Sequence, residues 1–332
     1  MKALVTGATG FIGGNLVREL IGDGLQVRAL VRPDSDITAL SGVDVEMVSG
    51  DLLDVESLEK AVAGCEALFH VAALYRLWTR DPTSYDRANV QGTRNVLEAA
   101  LKAEIRRVVY TSTAAVFGHW KGGLLPNENS KVALDEMVDG YHRSKYKAES
   151  QALEYCSKGM ELVVVNPTAP VGPWDVKPTP TGKVILDFLR GRVPAYIDAG
   201  LNLVHVRDVA RGHILALQKG RPGERYILGN RNVTLKELFR ILAPLAKRRA
   251  PSVRLPYWLV LSTAYLDHWV SVGLLKKEPL VPLAGVQMAR APMYFDSTKA
   301  VQELGLPQTP VEEALEEAVA WFRQRANSRL AA

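Results

Sequence analysis

Tyr141 and Lys145 stand four residues apart in the stretch "DGYHRSKYKAE", residues 139–149. Residues at positions i and i+4 lie on the same face of a helix. A free tyrosine has a pKa of about 10, and a nearby positive charge lowers that pKa by stabilising the phenolate. The pair could therefore deliver a proton to an oxygen on which negative charge develops. The alternative is that both residues lie on the solvated face of an ordinary helix.

Three glycines, Gly7, Gly10 and Gly13, follow the strand-like run "KALVTG" and open a segment with the apolar period of a helix. Glycines in this place permit a tight turn and a close approach of the backbone to a ligand. A pyrophosphate can then bind the amides at the helix N-terminus, around Phe11 and Ile12, where the helix dipole favours negative charge. The pattern predicts a dinucleotide-binding loop, and an ordinary strand-to-helix turn is the alternative.

Elements of two kinds alternate through the first half of the chain and would position these residues. The β-rich runs are "KALVTG", "QVRALVR", "VEMVSGD", "ALFHVAA", "RRVVYTST" and "ELVVVNP", and amphipathic segments separate most of them. Runs that are apolar on both faces and separated by helices indicate a parallel sheet covered on both sides. We therefore predict an α/β fold with a doubly wound parallel sheet, the Rossmann arrangement.

A change of pattern near residue 167 indicates a second, smaller C-terminal domain. Prolines become frequent there, as in "NPTAPVGPWDVKPTPTG", and the regular alternation ends. We predict a dinucleotide-binding domain over residues 1–166, which also receives about 201–220. The smaller substrate-binding domain would comprise residues 167–200 and 221–332.

Composition narrows the classes of partner. The 332 residues carry 41 basic and 36 acidic side chains, a formal charge of +5, without the basic block that marks nucleic-acid arms. Cys65 and Cys156 make no disulfide framework and lack metal-ligand spacing with the histidines, so no metal is expected. A strand-like run begins at once after Met1, which leaves no room for a signal peptide. We expect a cytoplasmic protein that binds a small molecule and no nucleic acid.

The apolar run "LPYWLVLSTAYLDHWVSVGLL", residues 255–275, has the length of a membrane span but carries Asp267 and His268. A buried helix of the substrate domain is the favoured interpretation, with Pro256 at its start. The run could instead line an apolar pocket or lie on a membrane surface, which would make the protein peripheral at the inner membrane.

The glycine spacing is GxxGxxG, and further short motifs follow in a fixed order: "GDLLD", "HVAA", "NVQGT", "TST", then Tyr141 with Lys145. Together they resemble the extended branch of the short-chain dehydrogenase/reductase superfamily over nearly the whole chain. The resemblance implies that Tyr141 acts as general acid or base. Lys145 would hold the cofactor ribose and, with the positively charged oxidised nicotinamide, lower the pKa of Tyr141.

The same resemblance assigns roles to the residues that follow the strands. Asp51 and Leu52 of "GDLLD" would flank the adenine, although a helix N-cap is an alternative role for Asp51. Ala72 and Ala73 of "HVAA" would line the nicotinamide side, with simple packing as the alternative. Pro167 of "NPTAPVGP" completes the predicted cofactor-binding set.

A hydroxyl at the end of the fifth predicted strand is the third catalytic group that the resemblance implies. Matching "TSTAAVFG" to the family's Ser-Ser-Ala pattern places Thr113 at the usual catalytic serine, with Ser112 just before it. Threonine keeps the donor oxygen, although its methyl group narrows the site. We therefore predict Thr113 first and Ser112 second, and give Asn89 of "NVQGT" a structural role.

The end of the second predicted strand bears on the choice of nicotinamide cofactor. It reads "RALVRPDSD", with no carboxylate at the strand end and with Arg32 where a guanidinium could pair with a 2′-phosphate. NADP(H) is the favoured cofactor. NAD(H) stays open, because Asp34 or Asp36 could fold back onto the ribose.

The stretches "HVAALYRLWTRDP", "NPTAPVGPWDVKPTPTG" and "GLNLVHVRDVARGHILAL" resemble the bacterial group called hopanoid-associated sugar epimerases, which is itself similar to dihydroflavonol 4-reductases. This likeness implies an apolar substrate. Tyr75 and Trp78 follow the nicotinamide-side strand and could wall the substrate cleft, or pack in the core. Family habit also suggests a homodimer.

Three functions remain in view. The leading hypothesis is an NADP(H)-dependent oxidoreductase acting on a carbonyl or secondary alcohol of a hopanoid or related lipid. The alternative is a sugar or nucleotide-sugar epimerase that uses NAD(P) without net redox change. The "RYFN" motif of such epimerases is missing before Pro167, where the chain reads "VVVN". A non-catalytic cofactor sensor is the third, and the intact Tyr141, Lys145 and Thr113 argue against it.

Overall fold

The computed structural model describes the backbone of residues 1–330 and the side chains through residue 326. Its strands are β1 Lys2–Thr6, β2 Gln26–Val31, β3 Glu46–Ser49, β4 Ala67–His70, β5 Arg107–Thr111, β6 Glu161–Pro167, β7 Ala169–Val171, β8 Ala195–Tyr196, β9 Gly200–His205, β10 Arg225–Leu228, β11 Arg231–Thr234 and β12 Val253–Arg254. Its α-helices are α1 Phe11–Gly22, α2 Val55–Val62, α3 Thr83–Tyr85, α4 Gly92–Lys102, α5 Gly140–Leu153, α6 Pro180–Leu189, α7 Val206–Lys219, α8 Leu235–Ala246, α9 Tyr257–His268, α10 Leu283–Met288 and α11 Val311–Leu330.

A seven-stranded sheet forms the centre of the fold, in the order β10-β6-β5-β4-β1-β2-β3. Every neighbouring pair in it is parallel. The order reverses direction beside β1, so that β2 and β3 lie on one side and β4 to β6 on the other, as in a Rossmann fold. The predicted doubly wound parallel sheet is confirmed.

Helices cover both faces of this sheet. α1 and α7 pack on one face, where Leu16 and Ile214 are buried, and α2, α4 and α5 pack on the other, where Leu58 is buried. Successive strand residues alternate between the two apolar layers, as neighbouring Val108 and Val109 of β5 show. Strands that are apolar on both faces can therefore be buried on both, which explains the continuous apolar runs in the sequence.

A smaller apolar core lies outside the central sheet. It joins the three-stranded sheet β11-β9-β7 to α6, α8 and α11. β9 lies in this smaller sheet, whereas α7, which follows it directly, packs against α1. β10 lies in the central sheet beside β6, although the predicted division assigned residues 221–332 to the substrate domain. The boundaries drawn within 201–228 therefore do not follow the strand pairing, and the division into two domains stays a prediction.

The apolar run 255–275 forms an exposed helix, so the prediction of a buried helix was wrong. α9 begins after Pro256 as expected, but of its 12 residues only Ala264 is buried. Trp258 is 67% exposed and Trp269, which follows the helix, is 62% exposed. α9 packs mainly against its own continuation and α10, and those contacts cover few of its side chains. Over residues 1–330, no helix combines the length and apolar character needed to cross a membrane.

The glycine loop offers a test of how closely this fold is packed. A Cβ on Gly13 would lie 2.1 Å from the carbonyl oxygen of Gly7, whereas a Cβ on Gly22, at the end of the same helix, meets nothing within 4 Å. We expect Gly13→Ala to lower the free energy of unfolding by about 1–3 kcal/mol, the usual cost of overpacking. Gly22→Ala should leave stability unchanged or raise it by up to about 1 kcal/mol, because alanine is the better helix former. Urea denaturation of the two variants checks this, and equal stabilities would contradict it.

Candidate active site

The predicted binding residues meet at one edge of the central sheet. The glycine loop follows β1, Arg32 follows β2, Asp51 and Leu52 come after β3, Ala72 and Ala73 after β4, Ser112 and Thr113 after β5, and Pro167 ends β6. Because these strands are parallel, their carboxyl ends share one edge, where doubly wound sheets bind their ligands. α5 brings Tyr141 and Lys145 to the same edge, since Lys145 Nζ reaches the carbonyl of Thr111 at the end of β5.

The glycine loop has room for a ligand's phosphates but not for side chains of its own. Gly7 has φ +71°, and a Cβ there would lie 2.7 Å from the backbone of Ala72. α1 begins after Gly10, where no side chain in the described part of the chain caps the helix. The first-turn amides, including those of Phe11 and Ile12, can therefore donate to an anion. This arrangement fits the pyrophosphate of a dinucleotide.

The loop after β2 carries the residues on which the two cofactor alternatives depend. Arg32 is exposed and makes no ion pair with the residues described. Asp36 accepts hydrogen bonds from the hydroxyl of Thr38 at 2.5 Å and from its backbone amide at 3.0 Å. The bond from the Thr38 hydroxyl has the larger effect and the bond from the Thr38 amide the smaller one, and together they hold the pKa of the Asp36 carboxyl below its ordinary value. Asp34 and Asp36 are both exposed, and Asp36 is engaged by Thr38 in its own loop and lies 4.0 Å from the guanidinium of Arg325 in α11.

The segment after β3 corrects one sequence alternative. Asp54, not Asp51, is the N-cap of α2, and it accepts from the amide of Ser57. The Asp51 carboxylate accepts from the amide of Leu53 at 2.9 Å in the preceding turn. The Leu52 side chain lies against Gly92 at the start of α4, where a Cβ would come within 3.0 Å of it.

Lys145 is buried and held by two acceptors. Its Nζ donates to the Tyr110 hydroxyl at 2.8 Å and to the Thr111 carbonyl at 2.6 Å. Burial lowers the pKa of Lys145 from its usual 10.5 to about 7, and Glu149 opposes that shift. Tyr110 was not predicted as a partner of Lys145, because "RRVVYTST" looks like an ordinary buried strand. The position of Tyr110 directly before three hydroxyl residues is the signal that was available.

Tyr141 is 8% exposed, and its ring packs 4.7 Å from the ring of Tyr75. Burial raises the pKa of Tyr141 above its ordinary value, and Tyr75, Tyr110 and Asp139 act in the same direction. Lys145 directs its Nζ to other partners. The lowered pKa that the resemblance implied therefore stays a prediction, since it depends on the charge of the oxidised nicotinamide as well as on Lys145.

The two candidate hydroxyls have different surroundings. Ser112 is buried, and its Oγ has no hydrogen-bond partner among the described residues. Thr113 is half-buried, and its Oγ1 accepts from the amide of Ala115 at 3.3 Å, at the start of a short 3₁₀ turn. A buried polar atom without a partner is uncommon, which makes Ser112 Oγ a candidate for bonding to a ligand oxygen. The ranking of Thr113 above Ser112 stays a prediction.

Two buried asparagines tie the neighbouring loops to α5. Asn89, in the π-helical turn Asp86–Gln91, accepts from the amide of Leu74 at 2.7 Å and donates to Ser144 Oγ at 2.8 Å. Asn166 donates to Glu149 at 2.8 Å and to the Thr113 carbonyl at 3.2 Å. The first positions the loop of Tyr75 and the half-buried Trp78, and the second positions the loop of the two hydroxyls.

Residues 3–229 match the NAD dependent epimerase/dehydratase family. The chain belongs to that family. The resemblance to extended short-chain dehydrogenase/reductases is thereby confirmed, and the epimerase/dehydratase family comprises NAD(P)-dependent enzymes that use this fold to oxidise or reduce small molecules.

Several proteins similar to this chain are named as reductases or carry a lipid in their names. A Synechocystis protein named "Putative dihydroflavonol 4-reductase" is 47% identical over 96% of this chain and 94% of its own. "Sterol demethylase protein B" of Methylococcus capsulatus is 36% identical over 98% of this chain and 99% of its own. A "4-hydroxy-2-methyl-3-oxo-4-farnesyl-3,4-dihydroquinoline-1-oxide ketoreductase" of Stigmatella aurantiaca is 32% identical over 92% and 91%. The solved structure titled "Crystal structure of gox2253" superposes with a TM-score of 0.86 at 42% identity, over 97% of this chain and 98% of that one.

The buried Lys145 predicts a pH-dependent stability. Because its pKa in the folded chain is about 7, the unfolded chain binds more protons between that value and the ordinary one. The destabilisation by Lys145 is therefore full below about pH 7 and vanishes as the pH rises toward 10.5. We expect Lys145→Met to gain a few degrees in Tm relative to the wild type as the pH falls from about 10 to about 7.

The matched control is Lys147→Met, because Lys147 is half-exposed and pairs with Asp86 at 2.8 Å. Thermal unfolding across the pH range should give a constant difference for that variant. A constant difference for Lys145→Met as well would contradict the shifted pKa.

Proposed function

We propose that the protein is an NADP(H)-dependent oxidoreductase that transfers a hydride to or from a carbonyl or secondary alcohol of an apolar, polycyclic isoprenoid lipid of the hopanoid type. The observation that carries the choice of reaction is the burial of Asn166, which is 0% exposed. In nucleotide-sugar enzymes with the "RYFN" motif, the asparagine at this place touches the substrate diphosphate. Here its amide nitrogen is engaged with Glu149 and Thr113, which favours the reductase over the epimerase.

The residues divide the chemistry between them. When bound, the nicotinamide supplies or accepts the hydride. Tyr141 would donate a proton to the substrate oxygen in the reducing direction and take it back in the oxidising direction. Ser112 and Thr113 offer hydroxyl donors to the same oxygen as negative charge develops. Lys145 would hold the ribose, and its ammonium together with the oxidised nicotinamide would stabilise the phenolate form of Tyr141.

The preference for NADP(H) rests on charge at the end of β2. Arg32 is exposed and has no ion-pair partner among the described residues, so its guanidinium is available to pair with a 2′-phosphate. A ribose that carries free hydroxyls needs an acidic acceptor at this place. Asp36 is engaged with Thr38, which weakens the NAD(H) alternative.

The apolar substrate is supported by the relatives and by the aromatic loop. One relative is named after sterol demethylation, and another is named as a ketoreductase of a farnesyl-bearing compound. The Tyr75 ring stands beside Tyr141, and Trp78 follows in the same loop, so both can wall a cleft for a flat hydrocarbon. Enzymatic names among the relatives also disfavour a cofactor sensor.

The cofactor preference can be tested by titrating the protein with NADPH and NADH. We expect tighter NADPH binding, and Arg32→Ser should weaken it roughly 10- to 100-fold, the value of a hydrogen bond to a charged group. NADH binding should not change. Arg240→Ser, at an exposed arginine of α8, controls for the loss of one positive charge. Tighter NADH binding by the wild type overturns the assignment.

The catalytic roles can be tested by single-turnover reduction of a panel of polycyclic isoprenoid ketones with NADPH. Tyr141→Phe should slow hydride transfer by roughly 10²- to 10⁴-fold. Tyr146→Phe is the matched control, because the Tyr146 hydroxyl donates to the Val132 carbonyl at 3.1 Å. Full activity in Tyr141→Phe refutes the mechanism, and substrate turnover without oxidation of NADPH would favour the epimerase. Comparing the single-turnover rates of Ser112→Ala and Thr113→Ala shows which of the two hydroxyls contributes more to hydride transfer.

A further inference from the structure

The run 257–275 leaves an apolar surface uncovered beside the loop that carries Tyr75 and Trp78, the candidate substrate loop. We call this surface the aromatic face; its most exposed members are Trp258, Tyr265, Leu266, Trp269, Leu274 and Leu275, each more than half exposed. Contiguous apolar patches of this kind mark interaction sites on soluble proteins. We propose that the aromatic face docks the protein on an anionic lipid bilayer, lying in the interface without crossing it.

The spacing of the aromatic residues supports a helix that lies parallel to the bilayer surface. Trp258, Tyr265 and Trp269 are seven and four residues apart, so they project from one side of α9 and its continuation. Tryptophan and tyrosine favour the boundary between hydrocarbon and water, because each combines an apolar ring with a polar tip. Leu266 and Leu274 add aliphatic side chains that can enter the acyl region.

Charge at the end of the aromatic face favours a bilayer over a second copy of the chain. Lys276 and Lys277 directly follow Leu275, are exposed and make no ion pair with any described residue. Exposed Glu278 is the one acidic neighbour in that turn. Lysine is depleted from protein–protein interfaces, whereas an anionic lipid surface attracts it.

The acidic residue inside the run is satisfied internally. Asp267 accepts from Ser271 Oγ at 2.8 Å and from the amide of Val281 at 2.7 Å, and these bonds lower the pKa of its carboxyl. Its charge therefore serves to hold the segment after α9 against the helix. It does not lie among the aromatic residues that would face lipid.

The aromatic face also lies next to the candidate substrate loop. Arg80 donates to the Lys276 carbonyl at 2.5 Å, and Leu77 lies against Gly285 in α10. The same loop carries Tyr75, whose ring packs on Tyr141. If the proposed function holds, docking would place the mouth of the site at the bilayer, where an apolar substrate is dissolved. Docking itself does not depend on the reaction.

Vesicle flotation tests the proposal without any turnover. The full chain is mixed with vesicles of phosphatidylcholine alone or of phosphatidylcholine with phosphatidylglycerol. We expect flotation with the anionic vesicles and weaker flotation with the neutral ones. Trp258→Ser combined with Trp269→Ser should lower the affinity at least roughly tenfold, because apolar burial is lost. Lys276→Gln and Lys277→Gln should each lower it roughly fivefold on anionic vesicles.

Met47→Ser is the matched control, because Met47 is 52% exposed on the edge strand β3, outside the aromatic face. It should float as the wild type does. A wild type that stays at the bottom of the gradient overturns the proposal, as does a double tryptophan variant that floats unchanged. If light scattering shows that this variant converts a dimer to a monomer while flotation is unaffected, the aromatic face is a protein–protein interface instead. Circular dichroism confirms that each variant is folded.

Discussion

A buried ammonium is the constraint on which the arrangement of the site depends. Lys145 is 1% exposed, and removing a charged amine from water is costly unless its donors are satisfied. The Tyr110 hydroxyl and the Thr111 carbonyl satisfy two of them, and both acceptors belong to the last residues of β5. These two bonds therefore fix the position of α5 along its axis relative to the carboxyl end of β5. Tyr141, one helical turn away, takes its position from that attachment.

Buried polar side chains extend this attachment to the neighbouring strand ends. His70 bridges Thr6 and Thr93 with its two ring nitrogens, and burial lowers its pKa to about 3, so that it is neutral. Asn89 and Asn166 connect the loops after β4 and β5 to α5. These contacts lie in a low-dielectric interior, where buried hydrogen bonds favour one conformation because breaking them leaves further polar groups unpaired. The loops at the site are thus specified by buried hydrogen bonds more than by their own sequence.

The aromatic face contrasts with this closely packed edge. The central sheet is covered by helices on both faces, whereas Ala264 is the one buried residue of α9. Exposed apolar surface carries a risk of aggregation, so its retention beside a substrate loop calls for a function. An enzyme whose substrate resides in a bilayer gains from such a surface, because the substrate need not pass through water.

Local patterns in the sequence were enough to predict the parallel sheet, the glycine loop and the Tyr141–Lys145 pair. Apolar alternation, glycine spacing and an i, i+4 pair each depend on neighbouring residues, and such short-range rules survive in the fold. Four features needed the tertiary structure: β10 in the central sheet, the exposure of α9, the bond from Lys145 to Tyr110, and the unpartnered oxygen of Ser112. Each depends on which distant segments pack together. The local sequence of an apolar run is the same whether or not another segment covers it. The local sequence around a hydroxyl is likewise the same whether or not the hydroxyl has a hydrogen-bond partner.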